Sequence, residues 1–185
     1  MKNVIRFLFV LCGLATMQAQ EVILLDEARL NFDADAITID SKLGEIRCIV
    51  KEDYTGEFSD NPIKFMKEKF DFNEFLSAMD NRKNFDEYLV TFNSSKGYLE
   101  AIYSNNGNLV GTHQRFKNIT LPSAVRNKLF IENQGWTAVS IKYTASGKSD
   151  RIDKELYKIK LENGNKNRVV KITPPSTSLI GYVNN

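Results

Sequence analysis

Two cysteines, one histidine, one tryptophan and four prolines stand in 185 residues, and most of these scarcities remove a class of function. Cys12 falls in an N-terminal apolar run that reads as removed, which leaves Cys48 with no intramolecular partner and the fold dependent on a packed core. With His113 the sole histidine, a multi-histidine metal centre is excluded, and the residue reads as part of a strand in Gly111-Thr112-His113-Gln114. No Gly-x-Ser-x-Gly elbow, dinucleotide turn or phosphate loop occurs. Gly147-Lys148-Ser149 lacks the upstream glycine of a phosphate loop and reads as a hairpin loop. Asp33, Asp35 and Asp40 fail as a calcium loop, because Thr38 stands where glycine is needed and Gly44 where glutamate is needed. No metal and no cofactor is expected.

What is present begins with the first nineteen residues. Lys2 and Arg6 precede the apolar run Phe7 to Ala15, and Thr16-Met17-Gln18-Ala19 ends on a small residue, the layout of a secretory signal peptide. The run is far short of the roughly 20 apolar residues of a spanning helix, so the segment reads as cleaved and the chain from Gln20 as exported, to the periplasm or cell envelope. A lipoprotein reading of Cys12 fails on the bulky Leu11 before it.

Removing Lys2 and Arg6 leaves 23 basic residues against 23 acidic ones, so the basicity of the whole chain belongs to its leader and nucleic acid is not an expected partner. Charge is nevertheless sorted along the chain. Gln20 to Val90 holds 17 acidic and 9 basic residues, Ile141 to Ile172 holds 4 and 9. The preferred reading is a solvated surface that drifts in sign; the alternative is a site for an acidic partner near Lys154, Lys158, Lys160 and Arg168. Cys48 alternates with Ile46 and Val50 in a strand pattern and reads as a buried, inert thiol.

A weak internal duplication organises the rest. Tyr88-x-Val90-x-Phe92 returns 69 residues on as Tyr157-x-Ile159-x-Leu161, Ala101 and Tyr103 as Val170 and Ile172, and Leu109-Val110-Gly111, one residue later, as Leu179-Ile180-Gly181. Each copy follows a proline-started helical pattern, from Asn61-Pro62-Ile63 and from Leu121-Pro122-Ser123. The expected first unit has a helix carrying Ile63, Met66 and Phe70, a short helix near Asn73 to Asp80, and strands at Glu87 to Asn93, Tyr98 to Ser104 and Asn108 to Phe116, with Asn106-Gly107 a hairpin signal. In the second, a helix capped by Thr120 ends near Asn133 to Gly135. Strands follow at Trp136 to Tyr143, Leu156 to Glu162 and Arg168 to Thr173, with Ser146 to Lys154 a long connection and Ser178 to Val183 a further strand. Upstream lie strand-like stretches at Val22 to Leu25, Ala28 to Phe32, Ala36 to Asp40 and Glu45 to Val50.

The expected organisation is therefore a signal peptide (1–19), an N-terminal β segment (20–58) and two helix-plus-sheet units (59–118 and 119–185) in an α+β fold. Trp136, Tyr143, Tyr157, Tyr88, Tyr98 and Tyr103 all fall on expected strands. Packing against the helices is the preferred reading of each singly, but tyrosines on an open sheet face would form a rigid contact surface, and Trp136, Tyr143, Tyr157, Tyr88 and Tyr103 are the candidate interaction residues. The paired acids Glu52-Asp53 and Asp86-Glu87 carry no mark that separates a catalytic pair from a solvated turn.

The leader, Leu121-Pro122-x-x-Val125, Gly135-Trp136, Tyr143 and Tyr157-x-Ile159-x-Leu161 before Asn163-Gly164 together resemble the PepSY-like, or β-lactamase-inhibitor-protein-like, exported bacterial proteins. That resemblance implies tandem helix-plus-sheet units and a non-enzymatic binding or inhibitory module for an envelope protein or peptide. A small envelope hydrolase and a structural surface component are the alternatives.

Overall fold

The computed structural model describes residues 32–42, 45–78 and 85–174. The expected leader, the stretch Val22 to Leu25, residues 28–31 of the stretch expected at Ala28 to Phe32 and the strand expected at Ser178 to Val183 lie outside the described residues. The described chain forms one eight-stranded sheet whose spatial order follows the sequence: β1 (Ile37–Lys42), β2 (Glu45–Val50), β3 (Glu87–Ser94), β4 (Gly97–Ser104), β5 (Leu109–Lys117), β6 (Thr137–Lys148), β7 (Arg151–Asn163) and β8 (Lys166–Ile172). Neighbours are antiparallel except β2 and β3, which are parallel and therefore need a crossover. That crossover carries a 3-10 turn and three helices, α1 (Thr55–Asp60), α2 (Pro62–Lys69) and α3 (Phe72–Ala78); a fourth, α4 (Ser123–Glu132), lies between β5 and β6.

Local chemistry accounts for several boundaries. In α2, Pro62 takes the first turn, where its missing N–H costs nothing, and the Asn61 side chain accepts from the Lys64 amide at 3.2 Å. Ile63, Phe65 and Met66 are its buried stripe. The N-cap position of α4 is Pro122 and makes no side-chain cap hydrogen bond, so Thr120 does not take the capping role expected of it. The Asn106-Gly107 signal closes the β4–β5 turn, with Gly107 at φ 80°.

One face of the sheet is covered. Ile46, Cys48 and Val50 on β2, Val90 and Phe92 on β3, Leu99 and Ala101 on β4, Phe116 on β5 and Ile159 and Leu161 on β7 join Phe58, Phe65, Met66, Phe72 and Phe75 of the crossover, and Val125 and Leu129 of α4, in a single buried cluster. Phenylalanine rings dominate its middle: Phe58 lies 5.2 Å from Phe65 and 5.3 Å from Phe116, and Phe70 lies 5.7 Å from Phe92. Cys48 is wholly buried, and burial pushes its thiol far above the ordinary value.

Two tandem helix-plus-sheet units are not what forms, and the fold is predominantly β. Gly111 to Lys117 pair with Lys142 to Lys148, which joins the halves into one continuous sheet. The matched positions of the apparent repeat share one structural role. Tyr88, Val90 and Phe92 and Tyr157, Ile159 and Leu161 are all inward-facing residues of half-buried strands, where period-two alternation produces such matches without duplication. The long connection expected from Ser146 to Lys154 is also replaced. β6 and β7 run on to a two-residue turn at Ser149 and Asp150, and Lys67 of α2 clasps Asp150 at 2.6 Å. Those strand ends project beyond the core, so they lack the apolar alternation that marks a strand.

Candidate functional site

Residues paired across neighbouring strands point to the same side, so the register sorts every strand side chain onto the helix-covered face or the opposite, open one. Tyr88, Tyr103, Tyr143 and Tyr157 are all on the covered face and at most 8% exposed. The Tyr103 ring stacks on Phe72 at 4.2 Å and its hydroxyl donates to Met66 Sδ, while Tyr88 meets the edges of Phe72 and Phe85. Tyr143 and Tyr157 lie 4.8 Å apart, and the Tyr157 hydroxyl donates to Glu155 Oε1 at 2.9 Å. Burial raises all three affected phenols, Tyr103 to about 12, and the Glu155 carboxylate adds to the rise at Tyr143 and Tyr157.

The candidate residues thus form two core pairs rather than one contact surface. Trp136 stands apart from both, half-buried, with the Arg168 guanidinium 4.2 Å from its ring centre. Arg168 also donates to Asn133 Oδ1, and Asn133 Nδ2 donates to the Leu129 carbonyl at 2.7 Å, so this cluster fastens the end of α4 to β8.

The open face carries different chemistry. Lys117, Lys142, Lys158 and Lys171 are direct cross-strand partners on β5, β6, β7 and β8, and all four are exposed. Among the described residues none of the four has an ion pair, and neither has Arg115 or Lys154 on the same face. Lys160, one row along, is neutralised by Glu162 at 2.8 Å. At about 6 Å in water, two like charges repel by roughly 0.7 kcal/mol, and like charges directly opposite in a sheet oppose its formation. Three consecutive lysine pairs are therefore a cost to folding that nothing in the described chain offsets.

This row begins in a shallow groove of about 330 Å³ lined by Ser95, Lys96, Tyr98, Arg115, Lys117 and Lys142, among others. Gly97 makes the groove's floor possible. A Cβ there would lie 2.1 Å from the Arg115 carbonyl oxygen, and its φ of 156° suits glycine. Glu52 reaches one side, accepting from Ser95 Oγ at 3.1 Å, and the other contributed charges are positive.

Sequence reasoning placed an acidic-partner alternative at Lys154, Lys158, Lys160 and Arg168. The fold puts the three lysines on the open face and Arg168 on the covered one, and it adds Lys117, Lys142 and Lys171. The phase of each strand was a usable signal. Lys142 alternates with buried Tyr143, and Lys158 with buried Tyr157 and Ile159, which assigns the lysines outward.

Among the described residues no helix is long and apolar enough to cross a membrane and no group of His, Cys, Asp and Glu is placed to hold a metal ion. No protein-family model, curated protein or solved structure matches the chain.

Proposed function

We propose that this chain is an exported, non-catalytic binding protein of the bacterial envelope that takes an anionic partner on the open face of its sheet. The observation that carries this reading is the unneutralised row Lys117, Lys142, Lys158 and Lys171, whose mutual repulsion a bound anion would relieve. An envelope protein or peptide, the partner expected from the sequence, would have to bring acidic residues to this face. Trp136, Tyr143, Tyr157, Tyr88 and Tyr103 support it from behind, as core and helix anchors. Among the described residues, the carboxylates with a shifted pKa, Asp33 and Asp150, are held low by Lys69 and Lys67, the direction of ion pairs and opposite to that of a general acid.

The test is retention of the purified protein on immobilised polyanion at about the physiological ionic strength where exposed charges still act over roughly 8 Å. Wild-type protein should be retained and a Lys142→Gln/Lys158→Gln variant should elute early; equal elution of the two would remove the reading. Export is tested separately, by fractionating the producing cell and sequencing the N-terminus of the mature protein, expected to start at Gln20.

A further inference from the structure

The geometry points to a linear acidic polysaccharide, with one carboxylate on each sugar, as the partner on this face; the inference rests on the anion-binding reading above. Three features of the lysine row narrow the class of polyanion.

Spacing is the first. Neighbouring strands lie about 4.8 Å apart, so the row offers one ammonium group per step over about 14 Å, perpendicular to the strands. A chain of uronic acids advances by about one such step per charged sugar. Lysine stems are flexible enough to follow sugar carboxylates that alternate in direction.

Composition is the second. Protein interfaces are poor in lysine and depend on a desolvated aromatic, arginine or apolar centre. Here the row is all lysine, and on β5 to β8 the flanking rows supply only Arg115, Val169 and half-buried Leu156 beside polar or charged groups. Single-stranded nucleic acid needs successive aromatic platforms. Tyr98 is the only tyrosine, phenylalanine or tryptophan on the open face of the described strands.

The third feature is the arrangement of the ends. Lys117 and Lys142 belong both to the groove and to the row, and among the described strands the row ends with Lys171 on β8, the last of the sheet. One sugar can sit against the Tyr98 ring with its carboxylate toward Arg115 and Lys117, while the polymer continues over Lys142, Lys158 and Lys171.

The experiment measures affinity of the purified protein for polygalacturonate, poly-L-glutamate and oligothymidylate matched in number of charges, with dextran as the neutral polymer, at two salt concentrations. Polygalacturonate should bind most tightly. Lys142→Gln/Lys158→Gln should weaken it by about tenfold or more, as expected for removing two of four charge contacts. Arg126→Gln/Lys128→Gln on α4, with the same change in net charge, should stay within about twofold. Tyr98→Ala should weaken polygalacturonate and leave poly-L-glutamate unchanged. Thermal denaturation of each variant confirms folding. If poly-L-glutamate or oligothymidylate binds as tightly as polygalacturonate, the polysaccharide inference is overturned and the anion-binding reading stands. If no polyanion binds, or the α4 variant loses as much as the row variant, both fall.

Discussion

Replacing Lys142 by glutamate should stabilise the protein while removing its ability to hold an anion. Lys142 sits inside the row, flanked by Lys117 and Lys158 as direct cross-strand partners. The substitution turns two repulsions of roughly 0.7 kcal/mol each into attractions of similar size before screening and side-chain entropy are counted. Exposed pairs deliver only part of the Coulomb figure, so a net gain of about 1 kcal/mol at low salt is expected, or a rise in Tm of about 2–4 °C for a chain of this size. Lys142→Gln should give about half of this. The assay is denaturant and thermal unfolding of wild-type, Lys142→Gln and Lys142→Glu proteins at about 0.01 M and 1 M salt, where the screening length falls from roughly 30 Å to 3 Å. The gain should follow the order Glu above Gln above Lys and largely vanish in high salt. A destabilised glutamate variant, or a gain indifferent to salt, would show that the lysine stems contribute more by packing than their heads cost by repulsion, and would refute the argument from the row.

Four other outcomes follow from the packing and ion pairs of the described chain. Gln114 is 1% exposed and neither atom of its amide has a hydrogen-bond partner, so Gln114→Met should stabilise by about 1–2 kcal/mol in denaturant unfolding, and a loss would mean the amide is satisfied. Gly97→Ala should cost about 2–4 kcal/mol, because its Cβ would collide with the β5 backbone; an unchanged midpoint would contradict that approach. Asp33 and Asp150 are held below their ordinary 3.8 by Lys69 and Lys67, so their stabilisation is complete above that value and is lost as pH falls through the lower folded values. Asp33→Asn/Asp150→Asn should flatten the stability curve below about pH 4, and an unaltered acid limb would refute the assignment. With Tyr103 raised to about 12 and Tyr143 and Tyr157 higher still, stability should fall as pH climbs past the ordinary tyrosine value of 10, and absorbance titration should show these phenols ionising late.

Elements with strong alternation or a clear start signal could be read from the sequence: β2 from Ile46, Cys48 and Val50, α2 from Asn61-Pro62, β4–β5 from Asn106-Gly107. What could not be read were the pairings between strands distant in sequence, β2 with β3 and β5 with β6. Alternation says that a strand is half-buried, and nothing in it says that β5 pairs with β6; the absence of a linker pointed to continuous or closely packed sheets, but not to a single sheet in place of two helix-plus-sheet units. The lysine row was hidden for the same reason. Lys117, Lys142, Lys158 and Lys171 are scattered through 55 residues of sequence and meet only through three registers. The tyrosines carried a signal that was present and underused, since Tyr88 shares its phase with Val90 and Phe92, and Tyr157 with Ile159 and Leu161, all of them buried.

That shared phase ties the core to the open face. A slip of one residue between β6 and β7 would bring Lys158 and Lys160 inward and turn Tyr157 and Ile159 outward, exchanging the whole apolar set for charge. Burial of the Tyr143 and Tyr157 pair therefore fixes the register that aligns Lys142 with Lys158, and the same constraint extends to Lys171 through Tyr157 and Ile172. A chain whose net charge is only +2 can consequently hold a concentrated positive field on one surface, because alternation separates its lysines from the residues that stabilise it. The repulsion within the row is tolerated because the apolar face behind it is large, and any partner that neutralises the row meets lysines whose backbone positions are already in register.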